Sequence, residues 1–141
     1  MADLVGVHPD LAVRITRVLA AMAALGFPMR ITEGLRTVAR QQALYAQGRT
    51  APGRIVTKCD GVLKKSRHQA ASDGLGHACD CAFIGVDPFG ERLEPGEKLP
   101  SDRQPWAAYG AAVQAVGLVW GGGPSFLKAG LNDRPHAELP S

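Results

Sequence analysis

The stretch Gly-His-Ala-Cys-Asp-Cys-Ala-Phe-Ile occupies residues 76–84 and predicts a β-strand from Ala78 to Ile84. Side chains along a strand point alternately to its two faces. Asp80 therefore lies on one face together with Ala78. The opposite face takes the neighbouring histidine and two of the three cysteines: His77, Cys79 and Cys81. We interpret the two thiols as small buried hydrophobic groups, while the carboxylate stays available for chemistry.

The rest of the chain predicts helices and further short strands around this one. Apolar residues recur at helical spacing after His8-Pro9 and form one face: Leu11, Ile15, Val18, Leu19, Met22 and Leu25. Further predicted elements are a strand at Met29–Glu33, a helix capped by Thr37 and running to Gln47, a helix at Trp106–Val116, and strands at Leu118–Trp120 and Pro135–Leu139. Residues 48–76 and 85–105 are predicted to be long loops. Helices and strands do not strictly alternate, so we expect an α+β fold with a small antiparallel sheet packed with about three helices, in a single domain spanning residues 1–141.

Composition and charge narrow the class of protein. The 141 residues are 45% hydrophobic and 21% charged, which is typical of a globular protein, and no apolar run approaches the ~20 residues of a membrane span. No signal-peptide pattern opens the sequence. The segment from Arg36 to Arg67 carries eight basic residues against one acid, which suits a polyanionic surface such as nucleic acid or an anionic cell envelope. Only Tyr45 is available for base stacking, which disfavours nucleic acid. The odd number of cysteines argues against a disulfide framework.

The histidines are the candidates for metal chemistry. Two of the four, His68 and His136, lie in dense polar contexts far apart in the sequence. Together with Asp80 they would make the two-histidine, one-carboxylate set of a catalytic zinc ion with an open coordination position. Such a set is common by composition alone, so the order of the surrounding motifs has to decide.

Short motifs follow one another in a characteristic order. They are Thr32-Glu33-Gly34-Leu35-Arg36-Thr37, Arg40-Gln41, Leu44 to Thr50, Ser66-x-His68, Gly76-x-Ala78-x-Asp80, Trp120-Gly121-Gly122 and Asp133-x-Pro135-His136-x-Glu138. In this order the chain resembles the zinc D-Ala-D-Ala carboxypeptidase family, and within it the L-alanyl-D-glutamate endopeptidases found as phage endolysins. The resemblance covers nearly the whole chain. It also implies the fold, which hedgehog signalling domains share.

The resemblance implies a role for each matching residue. It assigns one zinc ion per chain to three ligands: His68, Asp80 and His136. Asp133 is the implied catalytic base, Arg36 would steady the scissile carbonyl, and Ser66 would help to hold the substrate. A bound zinc ion would lower the pKa of water toward about 7.

The spacing between two of the motifs departs from the family pattern. Seven residues, Gln69–Leu75, separate His68 from Gly76, where the family usually has two. His77 is therefore a rival ligand. The alternation of side chains along the strand favours His68, because His77 and Asp80 point to opposite faces.

We therefore expect a bacteriolytic zinc peptidase that hydrolyses the L-Ala-D-Glu bond of the peptidoglycan stem peptide. The alternatives are a D-Ala-D-Ala carboxypeptidase of the same family and a non-catalytic zinc-containing wall-binding module. The expected partner is peptidoglycan, with no nucleic acid, no stable membrane insertion and a monomeric state. Synthesis in the host cytoplasm without a signal peptide, followed by action on the wall after release, completes the expectation.

Overall fold

The computed structural model describes residues 4–84 and 105–141. In chain order the elements are α1 (Pro9–Ala24), β1 (Met29–Glu33), α2 (Val38–Ala46), β2 (Ala78–Phe83), α3 (Pro105–Ala115), β3 (Val119–Trp120), α4 (Pro124–Lys128) and β4 (His136–Glu138). The predicted loop at 85–105 lies almost entirely outside the described residues. None of the helices in the described ranges has the length and apolar composition needed to cross a membrane.

The four strands form one antiparallel sheet in the order β1-β2-β4-β3. In the pairing of β2 with β4, Asp80 lies opposite His136 and Ala78 lies opposite Glu138. The architecture confirms the predicted α+β class with a small antiparallel sheet. One element was not predicted, the short helix α4, which begins at Pro124.

Helix α1 begins where the sequence predicts. Pro9 occupies the first turn, and the His8 ring accepts a hydrogen bond from the Asp10 backbone N–H, which satisfies one free donor of the helix end. The buried face is formed by Leu11, Ile15, Val18 and Met22. Leu25 was predicted on the same face, but it lies beyond the last helical residue and is 61% exposed.

The apolar core includes residues from the sheet and from both long helices. Cys79 and Cys81 of β2 are fully buried and share one cluster with Tyr109 of α3 and Ile15 of α1. All three cysteines are free thiols, and Cys59 is half-buried. The prediction that the two strand cysteines pack as buried small groups is therefore confirmed.

The residues between His68 and Gly76 form a small closed loop. Ala70 and Gly76 pair as an antiparallel bridge, and the Ala71 N–H donates to the Leu75 carbonyl at 2.9 Å. The loop ends are therefore adjacent, and the additional residues extend outward without separating His68 from β2.

Candidate metal centre and active site

Three side chains converge on one point at the polar side of the sheet. Asp80 and His136 are opposite each other in the pairing of β2 with β4, so their side chains are neighbours on one face. His68 reaches them from the loop that precedes β2. The backbone N–H of Arg36 fixes this loop by donating to the His68 carbonyl at 2.7 Å. We call His68, Asp80 and His136 the ligand cluster. In the described part of the chain, it is the one group of potential ligands close enough to hold a metal ion.

The distances within the ligand cluster match those expected around one small metal ion. His68 Nε2 lies 3.1 Å from His136 Nδ1, His68 Nε2 lies 3.3 Å from Asp80 Oδ1, and His136 Nδ1 lies 3.6 Å from Asp80 Oδ1. Ligand bonds of about 2.0–2.1 Å in a tetrahedral arrangement place neighbouring ligand atoms about 3.3 Å apart. The three observed distances scatter around that value.

The outer partners of the two histidines decide which ring nitrogens carry protons. His68 Nδ1 lies 3.2 Å from the Gly34 carbonyl oxygen, and His136 Nε2 lies 2.7 Å from Glu138 Oε1. Since both partners are acceptors, the N–H groups of the neutral rings point outward. The inward nitrogens then carry lone pairs, an arrangement typical of metal-ligating histidines.

The remaining member of the cluster is an acceptor without a donor. Asp80 Oδ1 is buried and has no hydrogen-bond partner. Burial raises the pKa of Asp80, but its contacts with His136 and His68 outweigh burial and hold the pKa well below its usual range. Two lone pairs and a carboxylate oxygen around one buried point require a cation. The residues present therefore fit a metal ion.

The same environment acts on His136 when no metal is bound. Burial lowers the pKa of this imidazole, but contacts with Asp80 and Glu138 outweigh burial and raise the pKa to about 9.

Asp133 lies at the open edge of the ligand cluster. Its Oδ2 is 3.8 Å from His136 Nδ1, and its side chain is 52% exposed. Partial burial, together with the charge of Asp80, raises its pKa. An accessible carboxylate with a raised pKa, next to the ligand cluster, has the properties of a general base.

The loop that carries Asp133 is fixed by the core. The Tyr109 hydroxyl donates to the Pro135 carbonyl at 2.8 Å, and the Trp120 indole N–H donates to the Arg134 carbonyl at 2.7 Å. The backbones of Gly121 and Asp133 approach so closely that a Cβ added to Gly121 would lie 2.1 Å from the Asp133 carbonyl oxygen. Only glycine fits at this position, where the motif Trp120-Gly121-Gly122 has one.

Arg36 is a buried cation beside the ligand cluster. It donates twice to Glu33, at 2.8 and 2.9 Å, and once to Gln41, at 2.7 Å. Its Nη2 also lies 3.7 Å from Asp80 Oδ2. Burial raises the pKa of Glu33, but the hydrogen bonds and charge of Arg36 outweigh it and lower the pKa overall. Arg36 is therefore a fixed charge held by a carboxylate.

Ser66 lies between the Arg36 side chain and the backbone of His68. Its Oγ accepts hydrogen bonds from Arg36 Nη1 at 3.4 Å and from the His68 backbone N–H at 3.2 Å. Because the oxygen already serves as acceptor twice, its O–H group remains as a donor toward a bound molecule.

The structure thus brings all six predicted site residues into one region, and it separates the rival. His77 Nε2 lies 2.8 Å from Asp73 Oδ2, outside the ligand cluster. Sequence reasoning did not assign roles to three supporting groups, which are the Gly34 carbonyl, Glu33 and Glu138. A signal existed for Glu138, since it follows His136 by two residues on a predicted strand and must share its face. No such signal marks Phe126, whose ring centroid lies 5.2 Å from that of His136.

Comparison with known proteins identifies the family. No family model matches the chain. The peptidoglycan L-alanyl-D-glutamate endopeptidase CwlK of Bacillus subtilis (strain 168) is 30% identical over 132 residues, which is 94% of this chain and 72% of that protein. The chain belongs to the L-alanyl-D-glutamate endopeptidase family.

Solved structures agree with this family and with the fold. The L-Ala D-Glu endopeptidase ChiX of Serratia marcescens superposes with a TM-score of 0.55 at 26% identity, over 99% of this chain and 84% of that one. The vancomycin-resistance D,D-pentapeptidase VanY, solved in complex with Zn(II), gives 0.60 at 15% identity, over 94% of this chain and 72% of that one. At that identity VanY supports the fold alone.

Proposed function

We propose that this endopeptidase-family chain is a zinc-dependent peptidase that hydrolyses the L-Ala-D-Glu bond of the peptidoglycan stem peptide. The observation that carries the proposal is the convergence of His68 Nε2, His136 Nδ1 and Asp80 Oδ1 on one buried point, with an accessible carboxylate beside it. Two histidines and one carboxylate leave a coordination position open, as catalytic zinc sites do.

The proposed roles follow from the contacts of each residue. His68, Asp80 and His136 would hold zinc, which supplies a Lewis acid that lowers the pKa of water and polarises a carbonyl. Asp133 accepts a proton from the attacking water and returns one to the leaving amine, because its half-exposed carboxylate lies 3.8 Å from His136 Nδ1 and its pKa is raised.

Arg36 and Ser66 are proposed to act on the substrate. The guanidinium is held rigidly by Glu33, so its positive charge can stabilise a developing oxyanion without being reorganised during the reaction. The Ser66 hydroxyl offers a donor to the peptide backbone, since its oxygen is already occupied as acceptor.

The choice of bond rests on the relatives. Both CwlK, at 30% identity, and ChiX, at 26% identity, carry the L-Ala-D-Glu specificity in their names. We extend the proposal to a bacteriolytic, phage-type endolysin that is made in the host cytoplasm and acts as a monomer on the wall. One chain provides every residue of the proposed site, which supports the monomer.

The basic loop before the ligands supports an anionic wall as the surface bound. Three exposed lysines precede the ligand loop: Lys58, Lys64 and Lys65. The one acid of the basic segment, Asp60, turns its Oδ1 to the backbone N–H groups of Val62 and Lys64. It is therefore occupied by its own loop.

Mass spectrometry of purified peptidoglycan after digestion tests the proposal. We expect new L-Ala carboxyl ends and new D-Glu amino ends, which disappear after zinc is removed with a chelator and return when zinc is added. Release of free D-Ala would instead identify a carboxypeptidase. No new ends with the zinc-loaded protein would leave a non-catalytic module and overturn the proposal.

A further inference from the structure

The contact between His136 and Glu138 extends the site beyond its proposed ligands. We propose that Glu138 is a positioning residue that fixes the orientation and tautomer of His136 for metal binding, and that Arg67 in turn fixes Glu138. This inference rests on the proposed metal site and names residues that hold it together.

The strand geometry places Glu138 next to His136. The two residues are two positions apart on β4, so their side chains share one face. Glu138 Oε1 lies 2.7 Å from His136 Nε2, and the two side chains are 13% and 6% exposed. A hydrogen bond between two largely buried groups holds the ring more firmly than a solvent-exposed contact would.

Arg67 connects this pair to the opposite arm of the site. Its Nε lies 3.2 Å from Glu138 Oε2, an ion pair that is not aligned as a hydrogen bond, and its Nη2 donates to the Leu139 carbonyl at 2.6 Å. Arg67 directly precedes His68. One side chain therefore joins the loop that carries the first proposed ligand to the strand that carries the third.

The chemistry explains why a carboxylate is useful here. An imidazole can bind a metal through either nitrogen, and the partner of one nitrogen decides which is free. With the Nε2–H group donating to Glu138, Nδ1 is presented to the cluster, and the negative charge makes that nitrogen a better ligand. His68 is oriented instead by the neutral Gly34 carbonyl, so the two histidines are held by groups of different charge.

Zinc affinity, measured by competition with a colorimetric chelator, tests the role of Glu138. We expect a loss of about 10–100-fold in Glu138→Ala. The loss should be smaller in Glu138→Gln, because an amide oxygen can still accept from His136. The matched control is Asp73→Asn, which removes a carboxylate from the His77 ring, a contact of 2.8 Å outside the cluster, and should leave zinc affinity unchanged.

Thermal unfolding of the metal-free proteins separates positioning from a general structural role. A Glu138→Ala protein that is less stable but binds zinc as tightly as the parent overturns the inference. If the parent binds zinc and digests the wall, that result leaves the proposed function intact. A parent protein that binds no zinc overturns the proposed function itself.

A double-mutant cycle tests the part played by Arg67. We expect Arg67→Ala to weaken zinc binding less than Glu138→Ala does, because the carboxylate still reaches His136. In the Glu138→Ala background, Arg67→Ala should add little, since it acts through the missing carboxylate. Losses that simply add would show that Arg67 does not act through Glu138.

Discussion

Two clusters of side chains in this molecule have the same residue types, but they differ in the contacts of their ring nitrogens and in burial. The ligand cluster contains two histidines and an aspartate, and so does a second cluster formed by His8, Asp73 and His77. The histidine rings are T-shaped in both, with centroids 5.0 Å apart in the ligand cluster and 5.2 Å apart in the second cluster. Residue types and ring geometry therefore do not distinguish a metal site from an ordinary polar contact.

The outer partners of the ring nitrogens make the difference. In the second cluster His8 Nδ1 accepts from the Asp10 N–H at the start of α1, and His77 Nε2 contacts Asp73. These nitrogens are occupied by separate neighbours. In the ligand cluster the outer nitrogens contact Gly34 and Glu138, so the inner ones are left facing each other. The hydrogen-bond partners of the outer ring nitrogens therefore decide whether the inner nitrogens are free to bind a metal.

Burial adds to the contrast. The Asp73 side chain is 39% exposed and keeps access to water, whereas the Asp80 side chain is 18% exposed and has one buried oxygen without a donor. A buried carboxylate oxygen without a partner is costly, and a bound cation removes that cost. The ligand cluster therefore has a buried acceptor that a cation would satisfy, whereas the carboxylate of the second cluster is paired with His77 and is accessible to water.

The largest expected effect comes from removing one residue of the ligand cluster. His68→Ala, Asp80→Ala and His136→Ala should each lose stoichiometric zinc and wall-lytic activity, because two remaining ligands do not hold zinc tightly. His77→Ala should keep both. Elemental analysis and a peptidoglycan lysis assay measure the two properties. Zinc lost in His77→Ala but retained in His68→Ala would exchange the roles of the two clusters.

The fold was largely predictable because its elements have clear local signals. The helical spacing of Leu11, Ile15 and Val18 and the cap at Thr37 gave α1 and α2 within about one residue of their observed ends. Helix α4 was missed because five residues are too few to show a helical period. The exposure of Leu25 follows from the helix ending before it, and a periodicity argument does not locate an end that closely.

The grouping of the site was predictable in part, for a different reason. The alternation along β2 predicted that Asp80 and Cys79 face opposite ways, and the burial of Cys79 confirms it. The contacts to Gly34 and Glu138 depend on how distant segments meet, which no local pattern encodes. The assignment of His68, Asp133 and the other residues to zinc binding and catalysis stays a prediction until the variants are measured.

A smaller effect is expected from changing Asp133, the exposed carboxylate at the edge of the ligand cluster. Asp133→Asn should retain zinc and fold, because Asp133 is not one of the converging groups. It should lose about 10²–10⁴-fold in lysis rate, since an amide cannot accept the proton. If the variant lyses the wall at the parental rate with parental zinc content, Asp133 has no part in the mechanism. The two clusters would then differ only in their ability to bind zinc.

The smallest effect is expected from the cysteine thiols. Cys79 and Cys81 flank Asp80, but they are fully buried in the core, on the face that points away from the ligand cluster. Hydrogen bonding with Cys81, together with burial, raises the pKa of Cys79 far above its usual range, so this thiol stays protonated and is a poor ligand. A variant with all three cysteines changed to alanine should therefore keep its zinc and its lysis rate in the presence of reductant. It should lose stability, by about 1 kcal/mol for each buried thiol, because each substitution leaves a small void. Zinc content and lysis rate are measured beside the parent protein. Denaturant unfolding of the two proteins measures the loss of stability. Loss of stoichiometric zinc in a folded variant would mean that a thiol binds the metal, and the site would then have to be rebuilt around His77 and the cysteine face of β2.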